Sequence, residues 1–526
     1  MGPRRLSEAY CGVSQPAIGS GARSAPIARW VDSQLENGLS QRHPYPHLYN
    51  RPPIAGALSS GKREDSKIST DLLPRLDRLP TTSWHYRILL ILGSGLFLEG
   101  FSVSVAGSQL GVISHVLNLT TLESLSVTPI FLIGELFGAV YLGHLADTRG
   151  RKLLFMVSLA VIMAGDVIVG LLFVANALNF ASLAVLRAIT GFGVGGEFGA
   201  SISALQEFTP ARIRAFFTGT GNAVLFDLGG VIASFTAFFL LSVLLPSTAV
   251  GTAFLVGVVI AVAIFIGRVG LPESPRFLLS KGKTEEATRV VERIEESAKK
   301  AGKPLPPVQP IEIDFRGSEA GGYRRLFTAY RNRLILAWTL NFTETWPYYS
   351  AFSVIPLILT KVFNYPGSTV ALLLATITGA GVLGVFVMSY VLDAVGRRSG
   401  ITISYGVAGL LSIVIGLIVT SISFSSFIAL LIILYFFVYA AAGVLYPQIG
   451  EMFPTKARGS ALGTAVGFGR LGGILAPFAL ASFIGTVGGL LPVFVITGVV
   501  LLVGAAAEIV FGPELKKKSL EESARV

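Results

Sequence analysis

The sequence predicts an all-α membrane protein of twelve transmembrane helices in two pseudo-symmetric six-helix halves. Three observations carry this expectation. Of 526 residues, 52% are hydrophobic and only 14% charged, with a mean hydropathy of +0.67, whereas soluble domains carry about 25% charged residues. Twelve apolar stretches each supply the roughly 20 residues that a helix needs to cross a bilayer. Two polar islands in the first half recur in the second at nearly the same spacing, the mark of an internal repeat.

Residues 1–84 are rich in Pro, Ser, Gly and Arg and read as a disordered cytoplasmic tail. The start, MGPRRLSEAY, has two arginines but no apolar core behind them, which argues against a secretory signal. The N-terminal half, 85–270, is expected to place helices at roughly 86–113, 124–146, 153–175, 179–207, 215–244 and 248–270. Residues 271–332 read as a charged cytoplasmic linker. Within its KTEEATRVVERIEESAKKA stretch, Ala287, Val290, Val291, Ile294 and Ala298 recur at helical spacing, predicting an amphipathic helix on the membrane-facing underside. The C-terminal half, 333–511, is expected to hold helices at roughly 333–360, 367–392, 400–420, 425–451, 459–485 and 489–511. Residues 512–526 read as a second cytoplasmic tail.

Orientation follows from the short loops. Arg149, Arg151, Lys152, Arg212, Arg214, Arg397, Arg398, Lys456 and Arg458 fall in alternate loops, and the intervening ones carry only Lys361. Positive charge is retained on the cytoplasmic side, so both termini are expected there, in a multi-pass protein of the cell (plasma) membrane. The same bias accounts for the net charge of +11 without a nucleic-acid partner. Cys11 is the single cysteine, which excludes an internal disulfide framework and a multi-cysteine metal site.

The islands share residue types as well as spacing. EFTPARIR at 207–214 and EMFPTKAR at 451–458 both read Glu, two residues, Pro, three residues, Arg. GHLADTRGRK at 143–152 aligns with SYVLDAVGRR at 389–398, so Asp147, Gly150 and Arg151 recur as Asp393, Gly396 and Arg397. Carboxylates and guanidiniums at helix ends form bidentate pairs. A cytoplasmic gate is therefore expected from Asp147, Gly150, Arg151, Glu207, Arg214, Asp393, Arg397, Glu451 and Arg458. Ordinary polar loops would explain any one island, but not a duplicated set.

These motifs resemble the major facilitator superfamily over roughly 85–511. GHLADTRGRK is similar to the family signature between helices 2 and 3, and RAITGFGVGGEFGASISALQEFTPARIR to its helix 4 signature. LPESPRFL at 271–278 is similar to the sequence after helix 6 in sugar porters. GEMFPTKARGSALGTAVGFGRLGGILAP resembles the helix 10–11 region of metabolite–proton symporters. The resemblance implies two halves rocking about a central cavity lined by helices 1, 4, 7 and 10. Helix 7, NFTETWPYYSAF, keeps the paired tyrosines of sugar porters but not their glutamines. This weakens a sugar assignment, and the GVGGEFG and GRLGGILAP stretches look more like carriers of organic acids and related metabolites.

An ionisable group at the bilayer centre costs about 2.5 kcal/mol or more, so each requires a partner or a function. The deep set is Glu99, Glu135, Asp166, Arg187, Glu197, Asp227, Glu344 and Arg470. Glu99 lies three residues before Ser102, where many proton-coupled relatives carry an aspartate, and Arg187 matches the arginine that pairs with that acid. The resemblance therefore implies Glu99 and Arg187 as a proton-coupling pair, with a static buried ion pair as the alternative. Glu197, Asp227, Glu344, Trp346, Tyr348, Tyr349 and Arg470 are substrate-binding candidates. Arg470 would face a substrate anion or else neutralise Glu344 or another acid. The aromatic residues would wall the cavity or simply pack. Glu135 and Asp166 are weaker candidates, Asp166 because helix 3 is peripheral in this architecture.

GFGVGG at 191–196 follows no strand, so it is not read as a phosphate loop. None of the five histidines falls well inside a span, so no enzyme, metal or cofactor is expected. The expected function is proton-coupled symport of a small organic solute, an organic acid or sugar-like metabolite, by a monomer. The alternatives are a passive uniporter, a phosphate–proton symporter and a transporter-like nutrient sensor.

Overall fold

The computed structural model describes residues 67–210, 217, 220–308, 310–314, 326–453, 455–485 and 487–515. Among them, twelve long helices follow the expected order. The first six are α1 (Ser83–Gly107), α2 (Thr121–Arg149), α3 (Arg151–Val174), α4 (Phe180–Phe208), α5 (Thr220–Val243) and α6 (Pro246–Val269). The second six are α7 (Arg331–Ser350), α8 (Gly367–Val395), α9 (Arg397–Ile418), α10 (Phe424–Met452), α11 (Thr455–Leu480) and α12 (Leu490–Phe511). Ten are apolar enough to cross a membrane by length and composition alone. The other two, α4 and α7, carry polar groups into the bundle: Arg187 and Glu197 on one, Asn341, Thr343 and Glu344 on the other. Phe137, Val140, Tyr141, Phe239, Val259 and Phe511 lie exposed on the outside, as a lipid-facing belt requires.

The repeat is visible in the packing. In the first half α1 packs on α5, α2 on α4 and α3 on α6; in the second α7 packs on α11, α8 on α10 and α9 on α12. The halves meet along α5 with α8 and α2 with α11, equivalent pairs under the same repeat. Lipid tails are as apolar as leucine, so helices in a bilayer associate through close backbone approach rather than hydrophobic burial. The α2–α4 seam shows this directly. Gly134 and Gly138 on α2 face Gly191 and Gly195 on α4, each pair at four-residue spacing. A Cβ on Gly195 would lie 2.0 Å from the Glu135 carbonyl oxygen, and one on Gly138 would lie 2.0 Å from that of Phe192.

Both first helices break before their far ends. After α1 comes a short helix, Leu110–Val116; after α7, a bend leads to Val354–Leu357 and a π-helical turn, Ile358–Val362. The seventh span, expected to be continuous to about 360, is therefore interrupted. The Phe352 carbonyl, freed by the bend, accepts a hydrogen bond from the Thr128 hydroxyl of α2 at 3.4 Å.

Two further expectations, both at the tails, need correction. The tail drawn as 1–84 includes an ordered segment from residue 67. There a short strand, β1 (Lys67–Thr70), pairs antiparallel with β2 (Ile311–Asp314), a small addition to an otherwise helical fold. The helix Leu72–Asp77 then buries Leu72, Leu73 and Leu76. Its neighbour is the linker helix Thr284–Lys300, whose Ala287, Val291, Ile294 and Ala298 are buried as its periodicity requires. The Arg75 guanidinium donates twice to Glu295 at 3.0 and 2.7 Å, and Arg78 donates to the same carboxylate. Burial pushes the Glu295 carboxyl up, but the hydrogen bonds and charge of Arg75 and Arg78 outweigh it and hold the group below its ordinary value. Finally, residues 512–515 are ordered rather than tail, with Leu515 buried.

Replacing Gly195 with leucine should drive α2 from α4 and cost about 1–3 kcal/mol or more. The check is a thermal melt of detergent-purified protein. Gly406→Ala, with no atom within 4 Å of its added Cβ, should leave the midpoint in place. Equal midpoints for the two variants would contradict a close-packed seam.

Candidate functional site

A cavity lies between the halves at mid-depth. Leu96 and Glu99 of α1 and Asn222, Ala223 and Phe226 of α5 line it from the first half. Glu344, Thr345, Tyr348 and Tyr349 of α7, Ala442 and Tyr446 of α10 and Arg470 of α11 complete it from the second. The α7 contribution follows from helical geometry: residues 344, 345, 348 and 349 share one face.

Arg470 is the centre of the charge arrangement. Its Nη2 lies 2.8 Å from Glu99 Oε1 and also contacts Glu135 Oε1 of α2. Its Nη1 donates to the Tyr349 hydroxyl, and the guanidinium sits 5.2 Å from the ring centroid of that tyrosine. One cation thus faces two carboxylates, and all three groups are buried. The acids come from one half and the arginine from the other. A second link between the halves runs from the Tyr348 hydroxyl, which donates to Asp227 of α5. Tyr348 also stacks on Tyr439 of α10 at 4.4 Å.

Glu99 therefore does not pair with Arg187. Glu99 faces the interface between the halves, where Arg470 is available. Arg187 points into the first half, donating to the Ser102 carbonyl at 3.0 Å and lying over the Phe131 ring at 4.3 Å. The acid near Arg187 is Asp166, which accepts from Thr190 at 3.1 Å and from Ser102 at 3.5 Å.

Glu197 does not reach the cavity. It is held by Arg268 of α6 through contacts of 2.9 and 2.7 Å and also accepts from Ser158. Arg268 spends its other donors on the Ile91 and Leu92 carbonyls, so the pair clamps α4 and α6 to α1. Trp346 lies off the cavity face of α7 and packs against Phe342. Glu344, Tyr348, Tyr349 and Arg470 do line the cavity, while Asp227 stands just behind Tyr348.

The two helix-end islands of each half come together. Arg151 pairs with Glu207 at 2.7 Å, and Arg397 pairs with Glu451 at 3.1 Å. These pairs mark the latch side of the bundle. Gly150 and Gly396 adopt φ of 100° and 94°, in the region that favours glycine. Arg214 and the side chains of Asp147, Asp393 and Arg458 lie outside the described residues. A further repeat escaped the sequence reading. Glu273 accepts from the backbone N–H of Arg151 and Lys152 at 3.4 and 3.3 Å, and Glu514 lies against Gly396 in the matching position. Both follow a proline, and that Pro-Glu pair is the signal that would have revealed them. On the far side the halves meet where Lys361 donates to the Thr121 hydroxyl at 3.1 Å and Thr128 donates to Phe352.

Comparison with known proteins agrees with this arrangement. The sequence model of a family described as sugar (and other) transporter matches residues 88–526. The niacin transporter NiaP of Acinetobacter baylyi is 27% identical over 86% of this chain and 99% of its own length. The putative metabolite transport protein YdjK of Escherichia coli is 30% identical over 85% of this chain and 95% of its own. The xylose transporter XylE from E. coli, in a partially occluded inward-open conformation, superposes with a TM-score of 0.67 at 18% identity, covering 83% of this chain and all of that one.

The paired helix ends carry a direct test. Arg151→Ala removes the ion-pair partner of the half-buried Glu207, which should cost about 1–3 kcal/mol. The double variant with Glu207→Gln should recover part of that loss. Thermal melts of the three variants form the cycle, and additive losses would show that the pair is not coupled.

Proposed function

Because the chain belongs to the sugar (and other) transporter family of the major facilitator superfamily, we propose that it is a proton-coupled symporter of a small organic solute. It works by alternating access in the plasma membrane, with both termini cytoplasmic. The observation that carries this reading is the ion triad between the halves: Glu99 and Glu135 on one side, Arg470 on the other. Two carboxylates share one guanidinium in a buried site, so gain or loss of a proton changes how strongly the halves are joined. Protonation of Glu99 removes one of the two anchors of Arg470, leaving Glu135, and so loosens the joint about which the halves rock. Deprotonation restores the bond and resets the carrier. Arg470 thus takes the coupling role that the sequence resemblance gave to Arg187.

The helix-end pairs, Arg151 with Glu207 and Arg397 with Glu451, act as the cytoplasmic gate together with Gly150 and the remaining island residues. Each pair ties a loop end within one half, keeping that half rigid as it moves. The similarity to a protein named niacin transporter supports a small metabolite as cargo. The likeness in fold to XylE, a protein described as a proton:xylose symporter, supports proton coupling. The cytoplasmic placement of the latch side rests on its Lys and Arg residues.

The test is Glu99→Gln, which fixes the protonated form. In reconstituted vesicles it should abolish uphill accumulation driven by a proton gradient while retaining counterflow exchange, since exchange requires no net proton movement. Uphill accumulation in this variant would exclude Glu99 as the coupling group. Wild-type uptake indifferent to the proton gradient would identify a passive uniporter.

A further inference from the structure

The cavity holds one carboxylate that the triad does not use. Glu344 of α7 is 2% exposed and lines the cavity. Among the described residues no direct hydrogen bond or ion pair reaches its carboxylate, and the positive charge that acts on it is that of Arg470. Arg470, the cationic side chain lining the cavity, is engaged by Glu99, Glu135 and Tyr349. One oxygen of Asp227, behind Tyr348, also lacks a hydrogen bond. Four carboxylates therefore stand around this cavity against one guanidinium.

That charge balance selects among solutes. An anionic solute would have to displace Glu99 or Glu135 from Arg470, the cationic side chain lining the cavity. A neutral polyol needs donors and acceptors on several sides. Asn222 offers such a solute an amide, but the Thr345 hydroxyl already donates to the Asn341 and Gly469 carbonyls, and Phe226, Tyr348, Tyr349 and Tyr446 make much of the remaining wall aromatic. A cation gains on both counts. It supplies the missing counter-charge to Glu344, a group that is expensive to leave unpaired at this depth. It also meets a wall that includes Tyr348, Tyr349, Tyr446 and Phe226, and aromatic rings attract cations through the ring quadrupole.

We propose that the transported solute is a small organic cation with a flat apolar body, held by its protonated nitrogen on the Glu344 carboxylate and by its ring against the tyrosines. Glu344 is then the specificity-determining residue of the cavity. This rests on the reading of the chain as a carrier, but the binding claim can be separated from it.

Three probes of the same ring and different charge make the test: benzylammonium, benzoate and benzyl alcohol. Each is titrated into full-length detergent-purified protein by calorimetry and then assayed for counterflow in proteoliposomes. Benzylammonium should bind and exchange, with the other two at least about tenfold weaker. Glu344→Gln should weaken benzylammonium about thirtyfold or more, and Glu344→Asp, which keeps the charge, should recover part of that loss. Benzoate or benzyl alcohol binding best overturns the assignment and leaves the carrier reading standing, as does benzylammonium binding unaffected by Glu344→Gln. No binding by any of the three also overturns it. Benzylammonium binding that depends on Glu344 but is never exchanged would uphold the site and contradict the carrier reading.

Discussion

A single guanidinium, that of Arg470, joins the two halves of the molecule at the middle of the bilayer. Its position on α11 places it against Glu99 of α1 and Glu135 of α2. Charges at this depth are costly unless paired, and removing one partner of such an arrangement is far more damaging than replacing the whole of it. The three residues therefore behave as a unit. Glu99 and Arg470 of the triad also line the cavity between the halves. The tyrosines of α7 extend the same joint, one receiving Arg470 and the other reaching Asp227.

A joint of this kind matters only if the bodies it joins are stiff. Glycine seams provide that stiffness. Gly134, Gly138, Gly191 and Gly195 bring α2 and α4 into backbone contact, and Gly251 against Gly170 does the same for α3 and α6. The second half repeats the arrangement, with Gly498 against Gly409 between α9 and α12 and Gly384 against Phe436 between α8 and α10. The buried Glu197–Arg268 clamp adds a further tie inside the first half. Motion is then directed to the interface between the halves, which is the site of the ion triad and the cavity. This distribution of contacts supports the proposed rocking of two stiff repeats about the site.

Much of the fold was legible in the sequence because its signals are local. Hydropathy fixed the twelve helices, and the duplicated islands fixed the repeat and brought Arg151 to Glu207 and Arg397 to Glu451. The site was legible in composition but not in pairing. That Glu99, Arg187 and Arg470 are deep could be counted along each helix. Which of them meet depends on the rotation of α1, α4 and α11 about their axes and on how the halves dock, and neither is encoded locally. Arg268 was overlooked for a related reason: near the end of an apolar run it looks like a boundary residue, yet it is folded back onto Glu197. Trp346 was grouped with Tyr348 and Tyr349 by proximity in sequence, but helical periodicity turns it away from them. The order of residues 67–82 was hidden because their apolar partners lie in the linker helix, some 210 residues further on.

The central claim is that the triad of Glu99, Glu135 and Arg470 holds the halves together. It is tested most directly by pulsed electron–electron resonance between spin labels on the far side. Leu245→Cys and Ser421→Cys, in a Cys11→Ser background, place one label on each half. The account predicts a single distance in the parent protein and an added, longer population once Glu99→Gln and Glu135→Gln remove both anchors of Arg470. Superimposable distance distributions with and without those two substitutions would contradict it.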